Sequence, residues 1–345
     1  MKKAVGILTG GGDAPGLNAV IWAVVKKGQE HGFEVIGIKD GWKGLIEREC
    51  EVLTIDTVED IYREGGTILG TSRTNPFKME GGADKVEENI KALGLHALIA
   101  VGGEDTLGVA QKLHQEKGLP LVGVPKTIDN DLSATDYTFG FDTAINIITE
   151  ALDRLHTTAK SHHRVMVVEI MGRHAGWMAL YGGFSGGAHI IILPEEPFDL
   201  EEICQKIKER KKQGKNYTIV AVAEGAVPKE GQSFVTQSQG TDAFGHIRLG
   251  GIAKALEKEI QKRTGIETRN VILGHLQRGG APSAFDRILG VRLGMKAVDI
   301  VAEGKFGYMA ALKGTEIIAV SLEEAVGKLK VVPPNLMAEF QSLLK

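Results

Sequence analysis

Short apolar runs alternate along this chain with longer stretches in which apolar residues recur every three or four positions. The runs predict strands at 4–8, 35–38, 97–101, 121–124, 165–170, 189–193, 218–223 and 271–273. The longer stretches predict helices at 17–30, 84–93, 106–117, 142–159, 200–213 and 249–264. Strands of this length joined by helices are typical of parallel sheets covered on both faces, so we expect an α/β fold.

Glycine-rich and charged clusters directly follow several of the predicted strands. Ligands of open α/β sheets bind beyond the carboxyl ends of the strands, so we expect the chemistry at these clusters. A break near residue 140 divides the pattern into two series of strands and helices. Residues 228–246 are polar and rich in Gly, Ser and Gln, which predicts a surface loop.

Composition and charge exclude several classes of protein. The chain has 345 residues, which favours two domains or one large α/β unit, and a net charge of −3, which gives no electrostatic case for nucleic acid or an anionic membrane surface. Cys50 and Cys204 match no metal-site spacing and indicate free thiols in a reducing compartment. No apolar run approaches the roughly 18 residues of a membrane span. We therefore expect a cytoplasmic protein that binds neither nucleic acid nor membrane.

Two glycine-rich clusters each follow a strand and open a helix. Residues 10–18, Gly-Gly-Gly-Asp-Ala-Pro-Gly-Leu-Asn, allow backbone N–H groups to approach an anion, and the helix N-terminus adds a favourable dipole. The cluster is neither a Walker A loop nor a GxGxxG motif, and a tight turn explains it equally. In the second cluster, Glu104 and Asp105 could hold Mg²⁺ through their oxygens, or Asp105 and Thr106 could form an acidic helix cap.

A cation and two carboxylates lie close together after the strand at 121–124. Lys126 follows a rigid proline, and Asp129 and Asp131 are two residues apart, so they point the same way in an extended segment. A cation beside a carboxylate pair suits a reaction in which one group takes a proton while another stabilises an anion. A turn with surface acids is the alternative.

Basic clusters follow two later strands. Met171-Gly172-Arg173 places an arginine on a glycine-hinged strand end, which suits a phosphoryl group bearing spread negative charge. Residues 275–280, His-Leu-Gln-Arg-Gly-Gly, predict a phosphate or sugar-phosphate site, with Arg269 upstream. Arg164 could be an ordinary surface arginine.

In these motifs, the chain resembles the phosphofructokinases of the bacterial type along nearly its whole length. The matching strings are Gly-Gly-Asp-Ala-Pro-Gly at 11–16, Gly-Gly-Glu-Asp-Thr at 102–106, Pro-Lys-Thr-Ile-Asp-Asn-Asp at 125–131, Met-Gly-Arg at 171–173 and Gly-His-Leu-Gln-Arg-Gly-Gly at 274–280. The resemblance implies two similar Rossmann-like three-layer α/β domains with mainly parallel sheets and the active site in the cleft between them. It implies a phosphoryl-donor domain at 1–140 plus 277–326 and a fructose 6-phosphate domain at 141–276 plus 327–345.

The resemblance also implies a role for each matching residue. Asp129 would take the proton from the 1-hydroxyl of fructose 6-phosphate, Thr127 and Asp131 would position the reacting groups, and Arg173 would stabilise the phosphoryl group in transfer. Glu104 would serve Mg²⁺, and Gly11 would place its backbone against the donor phosphates. The implied substrate-binding residues are Thr127, Ile128, Asp129, Asp131, Met171, Gly172, Arg173, Glu224, His275, Leu276, Gln277 and Arg278, together with Arg164 and Arg269 from a neighbouring subunit of a homodimer or homotetramer.

Asp105 and Lys126 bear on the identity of the donor. ATP-dependent members have Gly where this chain has Asp105, and commonly Gly where it has Lys126. A carboxylate at 105 occupies the space of the nucleotide α-phosphate, and two like charges 4 Å apart cost roughly 4 kcal/mol at an effective dielectric of about 20, on the order of a thousandfold in affinity. Lys126 would stabilise the leaving group of pyrophosphate.

The pattern therefore predicts a pyrophosphate-dependent phosphofructokinase, which reversibly transfers a phosphoryl group to fructose 6-phosphate with help from Mg²⁺. The alternative is an ATP-dependent 6-phosphofructokinase. Residues 71–77 match an ATP-contacting stretch only in part, and the basic effector-site pattern at 211–217 is incomplete. A NAD or lipid kinase would lack the strings at 171–173 and 274–280, and an inactive regulatory subunit would not need Asp129, Asp131 and Arg173.

Overall fold

The computed structural model describes residues 3–229 and 250–344, and within them the chain forms two compact units. Unit 1 consists of Met1–Ile128, Leu132–Thr143 and Arg278–Leu329. Unit 2 consists of Asp129–Asp131, Ala144–Gln277 and Lys330–Lys345. Most of the loop predicted at 228–246 lies outside the described residues.

The strands of the described residues are numbered here in chain order. They are β1 (Ala4–Thr9), β2 (Glu34–Ile38), β3 (Cys50–Leu53), β4 (Leu95–Gly102), β5 (Leu121–Pro125), β6 (Val165–Ile170), β7 (Ile190–Ile192), β8 (Thr218–Ala223), β9 (Thr268–Ile272), β10 (Tyr308–Lys313) and β11 (Glu316–Ser321).

The helices are numbered in the same way. They are α1 (Leu17–Glu30), α2 (Trp42–Glu47), α3 (Ile55–Val58), α4 (Gly82–Ala92), α5 (Glu104–Lys117), α6 (Phe141–His162), α7 (Trp177–Ser185), α8 (Leu200–Lys212), α9 (Ile252–Thr264), α10 (Ala284–Ala302), α11 (Leu322–Val326) and α12 (Pro334–Leu343). Short 3-10 segments lie at Ile61–Arg63, Pro76–Lys78 and Gly274–Arg278. Within the described ranges, no helix is both long and apolar enough to cross a membrane.

The sheet of unit 1 has seven described strands in the order β11-β10-β5-β4-β1-β2-β3. Its central pairs are parallel, and antiparallel pairing is confined to β2–β3 and β10–β11 at the two edges. Successive strand side chains alternate between faces, so Ile99 packs in one core with residues of α1 and α10, and Leu98 packs in a second core with residues of α4 and α5. Unit 1 therefore has three layers.

The sheet of unit 2 has four described strands, in the order β7-β8-β6-β9, and all their pairs are parallel. One face packs on α8 and α9 in a core that includes Val167, Val220, Ile207 and Leu256. Gly183 of α7 approaches the side chain of Ala221 on β8. The two units, with mainly parallel sheets covered by helices, confirm the predicted α/β class, while the donor and sugar roles of the domains stay a prediction.

Several predicted elements differ from the structure. The strand expected at 271–273 is β9, which begins earlier, and α6 continues to His162 instead of ending before Ser161. Strands β3, β10 and β11 were not predicted. Strand β3 has only four residues, and β10 and β11 form an antiparallel hairpin whose tight turn contains Gly314 in the left-handed region, at φ 58°.

Candidate active site

The donor motifs of unit 1 are brought together by the order of the strands. Strands β5, β4 and β1 are parallel neighbours, so the residues that follow them meet at one edge of the sheet. These residues are the glycine loop at 10–16, the start of α5, and Lys126. The structure thus assembles, from three separate stretches of sequence, the groups that were predicted to bind the phosphoryl donor.

Lys126 is buried at this edge, with 3% of its surface exposed. Its ammonium donates a hydrogen bond to the carbonyl oxygen of Gly12, and its backbone N–H donates to Gly102 at 2.9 Å. Gly11 has φ 79°, in the left-handed region that favours glycine, and a Cβ there would lie 3.4 Å from Lys126 Nζ. The loop therefore needs glycine at 11 for its backbone conformation, while a Cβ there would only touch the end of the lysine side chain.

The backbone of the glycine loop is partly engaged within unit 1. The N–H of Gly10 donates to the carbonyl oxygen of Val101 at 2.9 Å, and the N–H of Gly11 donates to the carbonyl oxygen of Ser72 at 3.0 Å. The hydroxyl of Thr71 donates to the carbonyl oxygen of Gly11 at 2.6 Å. Because the N–H of Gly11 already has an acceptor within unit 1, the contribution of Gly11 there is its left-handed backbone conformation.

The start of α5 corrects one prediction. The helix begins at Glu104, so its N-cap is Gly103 and not an acidic residue. Glu104, which is exposed, and Asp105, which is half-buried, lie in the first turn, where the helix dipole favours negative charge. Mg²⁺ is usually held by one or two carboxylates together with substrate phosphates, and these two residues fit such a partial ligand set.

Arg278 and Ile128 take specific places in unit 1. Arg278 donates a hydrogen bond from Nη1 to the carbonyl oxygen of Asp13 at 3.1 Å, and a Cβ on Gly12 would lie only 2.6 Å from the same atom. Ile128 is fully buried, so its side chain contributes packing and only its backbone is suited to a ligand contact. The carbonyl oxygen of Thr127 accepts a hydrogen bond from the Thr138 hydroxyl at 2.7 Å.

The sugar motifs of unit 2 also meet at one sheet edge. Strands β8, β6 and β9 are parallel neighbours, and they lead into Glu224, Met171 and the 3-10 segment Gly274–Arg278. The backbone N–H of Met171 donates to Gln277 Oε1 at 3.3 Å, and Gln277 is fully buried. The amide of Gln277 therefore connects two of the predicted sugar-binding stretches.

His275 and Leu276, the two residues before Gln277 in the 3-10 segment, face solvent. His275 is exposed, and 71% of the surface of Leu276 is exposed. Gln277 thus anchors the segment, while the side chains before it are accessible to a ligand or a partner.

Glu224 is a carboxylate of the predicted sugar site that lies close to Asp129 and to the backbone of Arg173. Its Oε1 accepts a hydrogen bond from the backbone N–H of Arg173 at 3.1 Å. Burial raises the pKa of this carboxyl, and the negative charge of Asp129 raises it further, while backbone hydrogen bonds from Arg173 and Gly172 oppose the change. Asp129 is itself buried, with 6% of its surface exposed. Unit 2 therefore brings Asp129, Glu224 and the backbone of Arg173 together.

Arg164 and Arg269 lie away from this edge. Arg164 directly precedes β6, and Arg269 pairs in register with Met166 near the beginning of the same strand. Both guanidinium groups contact Glu267 Oε1, at 3.0 Å and 2.7 Å. A six-residue strand spans roughly 20 Å, so neither arginine is placed with Arg173 and Glu224 of its own unit 2.

Sequence reasoning missed two buried carboxylates. Glu169, inside β6, accepts hydrogen bonds from the backbone N–H groups of Gly251 and Ala253 at the start of α9, at 3.1 Å and 3.0 Å. Asp286, fully buried in α10, accepts from the backbone N–H and hydroxyl of Thr143 at 2.7 Å and 2.6 Å. The one available signal was an acid within the apolar run Val-Val-Glu-Ile.

Comparison with known families identifies the family to which the chain belongs. A family model described as Phosphofructokinase matches residues 4–301. This match covers most of the chain, so the chain belongs to the phosphofructokinase family.

Individual relatives are named for two different phosphoryl donors, pyrophosphate and ATP. A Streptomyces coelicolor protein named pyrophosphate–fructose 6-phosphate 1-phosphotransferase is 56% identical over 336 residues, which are 97% of this chain and 98% of that protein. Another protein of the same organism, named ATP-dependent 6-phosphofructokinase 3, is 52% identical over 341 residues, 99% of each chain. The crystal structure of a pyrophosphate-dependent phosphofructokinase from Marinobacter aquaeolei has a TM-score of 0.83 at 23% identity, covering 99% of this chain and 91% of that one, and it supports the fold.

Proposed function

We propose that this protein is a pyrophosphate-dependent phosphofructokinase. It transfers a phosphoryl group from pyrophosphate to the 1-hydroxyl of fructose 6-phosphate, giving fructose 1,6-bisphosphate and phosphate, and the reaction is reversible. The observation that carries the choice of donor is the joint presence of Asp105 and Lys126 at one sheet edge of unit 1. The 56% identity to a pyrophosphate-dependent relative agrees with it.

The electrostatics of unit 1 favour a small donor. Asp105 in the first turn of α5 repels an additional phosphate that a nucleotide would bring, by roughly 4 kcal/mol at 4 Å and an effective dielectric of about 20. Lys126 is a compact cation with three hydrogen-bond donors, suited to the phosphate that leaves. Its buried position against Gly12 places that charge beside the glycine loop.

The residues of unit 2 provide the acceptor chemistry in this proposal. Asp129 takes the proton of the sugar 1-hydroxyl, and Arg173 stabilises the negative charge that spreads over the transferring group. Thr127 and Asp131 orient the reacting groups. The residues that bind the sugar phosphate are Met171, Gly172, Glu224, His275, Leu276, Gln277 and Arg278. Mg²⁺, held through Glu104, would neutralise charge on the pyrophosphate oxygens.

The assembly and location are part of the proposal. Arg164 and Arg269 lie at the opposite end of the strands from Arg173, which supports their serving the site of a neighbouring subunit in a homodimer or homotetramer. Cys50 and Cys204 are free thiols, which fits a reducing compartment, so we place the enzyme in the cytoplasm.

A donor assay tests this function directly. The purified protein, with Mg²⁺ and fructose 6-phosphate, should form fructose 1,6-bisphosphate with pyrophosphate, and should convert the bisphosphate and phosphate back in the reverse assay. Turnover with ATP and none with pyrophosphate would instead identify the ATP-dependent enzyme. A purified homomer inactive with both donors would support a regulatory subunit.

A further inference from the structure

Lys330 begins the C-terminal part of unit 2 and connects two pieces of that unit. Its backbone N–H donates to the carbonyl oxygen of Asp131 at 2.8 Å, and its ammonium donates to Asn130 Oδ1 at 3.2 Å. The indole N–H of Trp177 donates to the carbonyl oxygen of Lys330 at 2.8 Å, and the ammonium lies 5.2 Å from the centroid of the indole ring. Lys330 thus joins the Asp129–Asp131 turn to the first residue of α7.

The middle residue of the Asp129–Asp131 turn has an uncommon backbone conformation. Asn130 is buried and has φ 52°, in the left-handed region that side chains with a Cβ disfavour. A residue held in a sparsely populated conformation persists only when its surroundings determine it. The direction of the Asp129 and Asp131 carboxylates depends on this conformation, since both residues flank it.

The backbone of the C-terminal segment is anchored independently of the Lys330 side chain. Glu195 Oε1 accepts hydrogen bonds from the backbone N–H of Val332 at 2.9 Å and from that of Gly176 at 2.8 Å. Both contacts keep the segment beside the start of α7 without using the ammonium. Replacing the ammonium alone therefore tests its effect on the turn while the segment stays attached.

We propose that Lys330 is a positioning residue for phosphoryl transfer, and that its ammonium acts through Asn130 to hold Asp129 where it can accept the proton of the sugar hydroxyl. This inference rests on the proposed function, because that function gives Asp129 its role as the base. An ammonium suits the position, since it donates to the Asn130 amide oxygen and is attracted to the face of the Trp177 ring. Displacement of a reacting group by about 1 Å can cost a hundredfold in rate.

The test compares Lys330→Met, Lys330→Arg, Asn130→Gly and the double variant Lys330→Met/Asn130→Gly, with Lys328→Met as a matched control on an exposed lysine of the same stretch. We expect Lys330→Met to lower kcat by about tenfold to a hundredfold with little change in either KM, and Lys330→Arg to restore most of the loss. In the Asn130→Gly background the further loss from Lys330→Met should be small, because the oxygen through which the ammonium acts on the turn, Asn130 Oδ1, is gone. Lys328→Met should behave like the wild type.

Hydrogen exchange of the ligand-free proteins gives a readout that does not require activity. The amides of Asp129–Asp131 should exchange faster in Lys330→Met than in the wild type or Lys328→Met. A wild type inactive with pyrophosphate would refute the proposed function, while this exchange would still report whether Lys330 holds the turn. Full kcat with unchanged exchange in Lys330→Met, or equal kcat losses in both backgrounds, would overturn the inference.

If Lys330→Met fails to fold, Asn130→Gly carries the test. Glycine adopts φ 52° without strain and removes Asn130 Oδ1, which accepts from the ammonium, so we expect kcat to fall while the melting temperature is kept. Wild-type kcat in this variant would then contradict the proposal.

Discussion

The ammonium of Lys126 donates a hydrogen bond to the carbonyl oxygen of Gly12, although 114 residues separate the two in the chain. The contact joins the end of β5 to the glycine loop after β1. It places a buried positive charge beside backbone that was predicted to face the donor. Lys126 therefore supports the loop conformation through this contact, and in our proposal it also stabilises the leaving phosphate during transfer.

Removing this charge should reduce turnover with pyrophosphate. We expect Lys126→Met, which keeps most of the apolar stem, to lower kcat by about a hundredfold, a typical loss when a group that stabilises developing charge is deleted. The KM for pyrophosphate should rise as well, because the glycine loop loses its contact. Steady-state assays with each substrate varied would measure both, with the exposed Lys43→Met as control. A change confined to the KM for fructose 6-phosphate would contradict the assignment of Lys126 to the donor.

Asp105 should govern the exclusion of nucleotides. We expect Asp105→Gly to strengthen ATP binding, by as much as about a thousandfold if the full repulsion between like charges is relieved. Titration calorimetry with ATP and Mg²⁺ measures this directly, and Asp105→Asn separates charge from size. If Asp105→Gly binds ATP no better than the wild type, the electrostatic argument for the donor is wrong.

Much of the fold and of the assembly of the motifs could be predicted, because both depend on local patterns. The regular spacing of apolar residues predicted α1 with its observed bounds, and parallel strands bring the residues that follow them to one edge. The hairpin of β10 and β11 could not be predicted in this way. Its strands include small residues such as Ala310, and it packs on a sheet whose other strands come from distant sequence.

Residues that act only through distant contacts also escaped prediction. Lys330 lies in no motif, and its partner Asn130 is 200 residues away in the chain. Asp286 resembles an ordinary acid in the first turn of a helix, and only the packing of α10 shows that it is fully buried against Thr143. A sequence pattern shows which side chains follow a strand, but it does not show which distant residues support them.

The placement of Arg164 predicts that active sites are shared between subunits. Arg164→Ala and Asp129→Asn should each be nearly inactive alone. If Arg164 serves a neighbouring subunit, a mixture that has exchanged subunits recovers roughly a quarter of wild-type activity, because half of the dimers are hybrids and each hybrid has one complete site. Mixing after subunit exchange, measured against unmixed samples, checks this. No recovery in confirmed hybrids would mean that each chain uses its own arginine.

Asp286 should make part of the stability depend on pH. Burial raises the pKa of its carboxyl to about 6, against the hydrogen bonds from Thr143 that lower it. The folded protein therefore binds this proton more tightly than the unfolded chain, so the stabilisation is complete below the unfolded pKa of 3.8 and is lost as the pH rises through about 6.

The variant Asp286→Asn isolates this effect while keeping an acceptor for Thr143. Relative to the variant, the wild type should gain up to about 3 kcal/mol of unfolding free energy between pH 8 and pH 4. Urea unfolding at a series of pH values measures the difference. A difference that is constant across this range would show that Asp286 keeps an ordinary pKa.

The contribution of His189 to stability should change with pH in the direction opposite to that of Asp286, over the same range of pH. Burial lowers the pKa of its imidazole to about 4, and the positive charge of Arg210 lowers it further, followed by smaller effects of His156 and Lys215. Its Nδ1 accepts a hydrogen bond from the backbone N–H of Ile219 at 2.8 Å, and a proton on that nitrogen would place two donors against each other. The folded structure therefore favours the neutral imidazole of His189.

The lowered pKa of His189 sets the direction in which stability changes with pH. The unfolded chain takes up this proton at about 6.5 and the folded protein only at about 4, so the stabilisation is present above 6.5 and is lost as the pH falls to 4. In His189→Asn, whose amide oxygen can still accept from Ile219, the loss on acidification should be smaller than in the wild type. Urea unfolding between pH 7.5 and 4 checks this, with the exposed His162→Asn as control. Equal acid sensitivity in wild type and His189→Asn would show that another group destabilises the protein in acid.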